Sequence, residues 1–138
     1  VASVSFSIPY VCGPKQGGGR PGGRGKRFTD PKVKDDAATL ASLVLPYCPA
    51  KPLQGPLLLQ VMVRYPWRKS ESKKRRQRKR RWKDTAPDNE NILKQLDDVL
   101  EKLGFMGNDG QIACIVFDKC WTDNGGMDVT LRELEEAL

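Results

Sequence analysis

Asp88-Asn89-Glu90-Asn91-Ile92-Leu93-Lys94-Gln95-Leu96-Asp97-Asp98-Val99-Leu100-Glu101-Lys102-Leu103-Gly104 reads as one amphipathic helix with its start and stop signals in place. Ile92, Leu93, Leu96, Val99, Leu100 and Leu103 recur at helical spacing and form one apolar stripe. Glu90, Lys94, Asp97 and Glu101 fall on the opposite side. Asp84 or Asp88 is placed to cap the start, and Gly104 suits the left-handed position just past the end.

Such a stripe needs an apolar surface to cover. Upstream, Leu57, Leu59, Val61, Val63 and Tyr65 alternate with Gln60 and Arg64, which predicts a strand with one face turned to a core. Val4–Ile8 and Gln111–Lys119 read as further strands. Met127, Val129 and Leu131 alternate in a last one, after the turn at Gly125-Gly126. A second helix is predicted over Pro31–Leu45, with Val33, Ala37, Leu40, Ala41, Val44 and Leu45 on its apolar side. The order β–α–β, basic loop, α–β–β predicts an α+β domain spanning 1–138: a small mixed sheet with two main helices on one face.

Charge is distributed unevenly along the chain. The net charge is +7, yet residues 1–83 hold 20 Lys and Arg against 4 Asp and Glu, and residues 84–138 hold 4 against 13. A basic half beside an acidic half fits a polyanion-binding surface next to a cation-attracting region. The basic residues form two patches. One is Lys15, Arg20, Arg24, Lys26 and Arg27 in a Gly-rich stretch. The other is Arg68, Lys69, Lys73, Lys74, Arg75, Arg76, Arg78, Lys79, Arg80, Arg81 and Lys83, opposed only by Glu71 and bracketed by Trp67 and Trp82. Arginines pair with phosphates and aromatic rings stack on bases, so both patches are candidate DNA contacts. A solvated loop or a localisation signal is the plainer reading of the second.

The chain has no histidine. That removes Ser-His-Asp hydrolases, papain-like proteases and histidine-metal nucleases. Cys12, Cys48, Cys114 and Cys120 show no C-x₂-C spacing and read as idle thiols of a reducing cytoplasm. No apolar run is long enough for a membrane span, and the first residues lack a secretory signature. Gly17-Gly18-Gly19 lacks the lysine and hydroxyl of a nucleotide-binding loop.

Hydrolysis without histidine must use carboxylates, lysine, metal-bound water or tyrosine. Asp88, Glu90 and Asp109 are candidate ligands for a hard, oxygen-seeking cation such as Mg²⁺. Lys94, four residues after Glu90, is placed either to hold a carboxylate or to meet developing negative charge. The plainer reading makes Asp88 and Glu90 favourable charges at a helix N-terminus and Asp109-Gly110 an ordinary turn. Asp109 lies one helix and a turn beyond Asp88. The two meet only if the next strand runs back beside the helix or a partner subunit closes the site.

Pro87-Asp88-Asn89-Glu90-Asn91-Ile92-Leu93-Lys94, Asp98-Val99-Leu100, Asn108-Asp109-Gly110-Gln111-Ile112 and Lys119 resemble the RusA-type Holliday junction resolvases. That family's pattern is Asp-x-Asp-Asn-x-x-Lys, Asp-Ala-Leu, Asp-Asp-x-Gln-Val and a later lysine. Gly13-Pro14-Lys15, Gly19-Arg20-Pro21 and Arg27-Phe28 are similar to its basic N-terminal segment.

The resemblance implies a Mg²⁺-dependent endonuclease, with Mn²⁺ able to substitute and no small-molecule cofactor. It also implies a homodimer that nicks four-way DNA junctions symmetrically during recombination and repair, in the cytoplasm of a bacterium or phage host. By the same resemblance Asp88, Glu90 and Asp109 bind the metal, Lys94 is the catalytic lysine and Asp98 the helical aspartate. Asn91 and Gln111 fill pattern positions beside them, and Lys119 joins the DNA-binding set. Two residues depart from the pattern: Glu90 and Asn108 each stand where the family has aspartate. Without cleavage, the same basic surface describes a nucleic-acid-binding protein whose carboxylates are structural.

Overall fold

The alternating run at mid-chain forms the middle strand of a five-stranded sheet. In a computed structural model, which describes residues 2–12, 31–77 and 80–135, strand β2 (Leu57–Pro66) buries Leu57, Leu59, Val61 and Val63 completely and leaves Gln60 exposed. The remaining elements are β1 (Ser3–Ile8), α1 (Pro31–Val44), α2 (Lys73–Arg76), β3 (Arg80–Trp82), α3 (Asn89–Leu103), β4 (Ile112–Thr122) and β5 (Gly126–Glu133).

The sheet order is β1-β5-β2-β4-β3. Only β2 and β4 run parallel; the other neighbours are antiparallel. The sheet is therefore mixed and the fold α+β, as expected. Parallel strands need a crossover rather than a hairpin. The segment from α2 through α3 supplies it.

The apolar stripe of α3 meets the buried side of β2. Ile92, Leu96 and Leu100 have no exposed surface, and Val99 has 6%. Leu40 and Val44 of α1, Phe6 and Ile8 of β1, and Met127, Val129 and Leu131 of β5 complete the core. Each such side chain contributes roughly 1.5–3 kcal/mol on burial.

The opposite side of the sheet is polar. Ser5 shares a hydrogen bond with Thr130 at 2.9 Å, Ser7 donates to Asp128 at 2.7 Å, and Arg64 pairs with Asp128 at 3.1 Å. Both long helices therefore pack on one side. Gly104 ends α3 in the left-handed region at φ 92°, and its N–H donates to Glu101 and Leu100 carbonyls.

Three details depart from the sequence reading. The basic run is not one loop: it contains α2 and the strand β3. Leu45 leaves the first helix for a 3-10 turn and is 55% exposed, and Ala37 is exposed as well. Asp97, placed on the outer side of α3, is half-buried.

All four cysteines are free; burial pushes the Cys12 thiol up to about 12. Among the described residues no helix is long and apolar enough to cross a membrane.

Candidate active site

Buried leucines and isoleucine fix α3 on the sheet, so its first turn projects as a rigid ledge above the last third of β4. Asp88 holds the N-cap position (φ −68°, ψ 145°), and its carbonyl accepts the Ile92 N–H at 3.4 Å. Its side chain accepts no capping hydrogen bond. The carboxylate is thus not used by the helix. Glu90 follows in the first turn, also exposed.

Lys119 of β4 reaches up to this ledge. Its ammonium donates to the carbonyls of Thr85 at 2.7 Å and Pro87 at 2.9 Å, which pins the approach to α3 against the sheet. Asp88, Asn89, Glu90 and Lys119 then line an open concavity of about 460 Å³. The positive end of α3 and the Lys119 ammonium both favour an anion or a carboxylate–cation pair there.

Beneath it, Lys83 is 9% exposed, with its ammonium 4.2 Å from the Trp121 ring centroid and 4.8 Å from that of Tyr65. Burial, then Lys119 and Arg68, hold its pKa below the usual lysine value.

Lys94 is exposed one turn beyond Glu90, and among the described residues no ion pair joins the two. Asn91 is half-buried, its carbonyl accepting from the Gln95 amide at 3.3 Å.

Asp109 lies at the other end of the helix. Asn108 caps the short 3-10 turn Asp109–Gln111, its side-chain oxygen accepting the Gly110 N–H at 2.6 Å. Gln111 accepts from the Gly107 and Asn108 N–H groups at 2.9 and 3.0 Å and donates to the Leu53 and Gly55 carbonyls at 3.2 and 3.0 Å. Gln111 is therefore a clamp for the turn. Asn108 has a role of its own: it is the cap of that turn. Asp109 stays exposed at the foot of β4.

The 15 residues of α3 span about 22 Å at 1.5 Å each, and that length separates Asp109 from Asp88 and Glu90. Among the described residues no three Asp, Glu, Cys or His side chains come together to hold a metal ion. The expected trio is thus not assembled within one chain. The strand after the helix does run back beside it. It brings Lys119 to Asp88, because Asp109 stands at its beginning.

Near Asp109 the structure places Asp97, which the sequence reading did not single out. Burial, then Asp109, Asp98 and Glu101, push its carboxyl up to about 6, and one of its oxygens has no hydrogen-bond partner. The signal was its position three residues before Leu100, at the margin of the apolar stripe. A carboxyl raised in the folded state lowers stability as pH climbs from the unfolded value near 4 through about 6, and the loss is constant above that. Asp97→Asn is therefore expected to stabilise the fold by about 1 kcal/mol at neutral pH, discounted for partial exposure, and by nothing near pH 4. Urea denaturation at the two pH values checks this.

The basic run is partly neutralised from within. Glu71, with a side chain 2% exposed, receives Arg68, Arg75 and Arg81 at 3.6, 3.4 and 3.4 Å. Arg76 donates to the Arg68 carbonyl at 2.9 Å, and Arg80 stacks on Trp82, which is 65% exposed. Trp67 donates its indole N–H to Asp123. Lys69, Lys73 and Lys74 are exposed, and among the described residues no ion pair holds them.

Lys15, Arg20, Arg24, Lys26, Arg27, Arg78 and Lys79 lie outside the described residues. Lys83 and Lys119 stand apart from this open surface, engaged as above.

Glu71→Gln removes the one anion holding three guanidinium groups. The expected cost is about 1–3 kcal/mol, below the full value for a buried pair because the arginines are half-exposed. Trypsin should then cut within residues 68–81 about tenfold faster while the core stays protected.

No curated protein matches the chain closely enough to count as a relative. A family model does match: that of the endodeoxyribonuclease RusA, over residues 14–132, a span that takes in both acidic ends of α3, the basic run and four of the five strands. The chain belongs to the RusA endodeoxyribonuclease family.

Proposed function

We propose that this chain is a Mg²⁺-dependent endonuclease that resolves four-way DNA junctions by paired nicks in recombination and repair, working as a homodimer. The observation that carries the reading is the Asp88 carboxylate. It sits at a helix N-cap, makes no capping bond, and shares a concavity with Glu90 and Lys119.

Two exposed carboxylates two residues apart fit a hard cation as part of an oxygen donor set. One chain supplies only that part, since Asp109 is at the far end of α3. When bound, Mg²⁺ polarises the scissile phosphate and offsets the charge that develops on it. The chain's own groups do the rest. Lys119 holds the Thr85–Asp88 segment so that Asp88 keeps its aim. Lys94, on the open side of the next turn, is the cation available to the leaving oxygen. Lys69, Lys73 and Lys74 hold the DNA arms, and Trp82 offers a ring to an unpaired base. Two nicks related by symmetry call for two sites related by a two-fold axis.

The separation of Asp109 from Asp88 favours a second reading, a binder that grips branched DNA without cutting it. A labelled four-way junction and a matched duplex, each incubated with Mg²⁺, Mn²⁺ or chelator, decide between the two. Metal-dependent nicking of the junction alone is expected. Retained binding with no nicking under any condition establishes the second reading.

A further inference from the structure

Successive side chains of a strand point to opposite faces of the sheet, and directly paired residues share a face. Lys119 pairs with Val63 and stands on the side of α3, where it holds the ledge. Cys120 is the next residue; it pairs with Arg64 on one side and with Trp82 on the other. Trp82 therefore projects from the open face of the sheet, away from the ledge, although β3 is the neighbour of the strand that carries Lys119.

The three tryptophans of the chain are held differently. Trp121 is 8% exposed and lies under Arg68 and Lys83. Trp67 is tied to Asp123 through its indole N–H. Trp82 is 65% exposed, and among the described residues the group stacked on its ring is Arg80, whose guanidinium carbon lies 5.3 Å from the centroid.

A single exposed apolar ring means little by itself. Here it comes with a cation of the same strand on the same face. Arg80 is two residues before Trp82, and its guanidinium also donates to the Met62 Sδ at 3.5 Å. It is thus braced between a ring and a thioether, and among the described residues no carboxylate pairs with it. Arg81, on the other face of β3, is tied to Glu71 instead. An uncommitted guanidinium beside an open ring supplies what one nucleotide needs: a cation for the phosphate and a flat surface for the base.

The ring is within reach of DNA held at the ledge. β3 is the last strand of the sheet, and neighbouring strands lie about 4.8 Å apart, so a DNA strand reaches the open face by turning round one strand. Asp118 pairs with Met62 on that face and repels phosphate from the middle of the sheet, which keeps the contact at the edge. A base inside a duplex is covered on both faces by its neighbours. Only an unpaired base is free to stack on a side chain without first breaking that stack.

We infer that Trp82 and Arg80 form a stacking site for one unpaired nucleotide on the sheet face opposite the ledge, and that the DNA this chain selects carries single-stranded nucleotides beside its branch. This rests on the DNA-binding part of the reading above and not on cutting.

Binding without metal tests it on the full chain. The probes are a fully paired four-way junction, the same junction with a short single-stranded gap beside the branch, and a matched duplex. Wild type should bind the gapped form roughly tenfold more tightly than the paired one, the effect of one base–aromatic stack. Trp82→Ala should abolish that difference and leave duplex affinity unchanged, and Trp82→Phe should keep most of it. Arg80→Gln should remove part of the difference and lower the salt slope by about 1. A readout on wild type needs no substitution: a short single-stranded oligonucleotide should quench tryptophan fluorescence, and Trp82→Phe should bind it with most of the quench gone.

Equal wild-type affinity for gapped and paired junctions overturns the inference. So does a Trp82→Ala loss that is the same on duplex, or a fluorescence that no single strand quenches. The nuclease reading is judged separately, by nicking of the fully paired junction with Mg²⁺. Trp82→Ala that nicks it like wild type, with no preference for the gap in wild type, leaves that reading standing and removes the stacking site. Wild type that prefers the gap and never nicks does the reverse.

Discussion

Asp88→Asn is expected to lower junction nicking by on the order of 10³-fold, about 4 kcal/mol of transition-state stabilisation, while junction binding stays within about twofold. The clean separation follows from how the residue is held. Asp88 is an N-cap whose side chain makes no capping bond, and asparagine is as good at that position. The substitution keeps shape and removes charge, so the fold should lose no more than about 0.5 kcal/mol. Asp109→Asn should behave alike. The turn that carries Asp109 is held by Asn108 and Gln111, so its carboxylate is free of structural duty. Gel assays on a labelled junction with Mg²⁺ read nicking and binding on the same samples. If both variants nick within tenfold of wild type, the carboxylates are not metal ligands. A metal-binding titration of wild type and Asp88→Asn by calorimetry gives the same answer without turnover.

The parts of this fold that were legible are those set by local periodicity. The alternation of Leu57, Leu59, Val61 and Val63 and the stripe from Ile92 to Leu100 each need one apolar partner surface, and they supply it to each other. Strand order was not legible, because β2 lies between β4 and β5 through pairings that no local pattern records. The strand β3 was hidden for a related reason. Arg80, Arg81 and Trp82 are exposed, and their attachment comes from backbone pairing with β4, from Glu71 and from Lys83 packed on Trp121. Composition does not distinguish a solvated lysine from one seated between rings. The candidate site was half legible: Asp88 and Glu90 share a ledge as their spacing implied. Asp109 did not join them, because a helix of this length sets its two ends apart whatever motif they carry.

Replacing Lys69, Lys73 and Lys74 together with alanine is expected to leave stability unchanged and to flatten the salt dependence of junction binding. The three are exposed, and among the described residues no ion pair holds them, so their charge is available to phosphates. A surface that neutralises roughly 6–10 phosphates loses about 10³–10⁵ in affinity between 50 and 200 mM salt. At roughly 0.9 per contact, removing three cations should reduce the slope of log affinity against log salt by about 3. Lys83→Ala is the contrast. Its ammonium lies over Trp121 and Tyr65 and donates to Thr85, so alanine removes packing and cation–π attraction. That substitution should cost about 2 kcal/mol of stability and leave the salt slope unchanged. Binding isotherms over a salt series, with denaturation of the same preparations, separate the two effects. An unchanged slope in the triple variant would place the DNA on another surface. A slope lowered by Lys83→Ala would mean that its ammonium leaves the two rings to meet a phosphate.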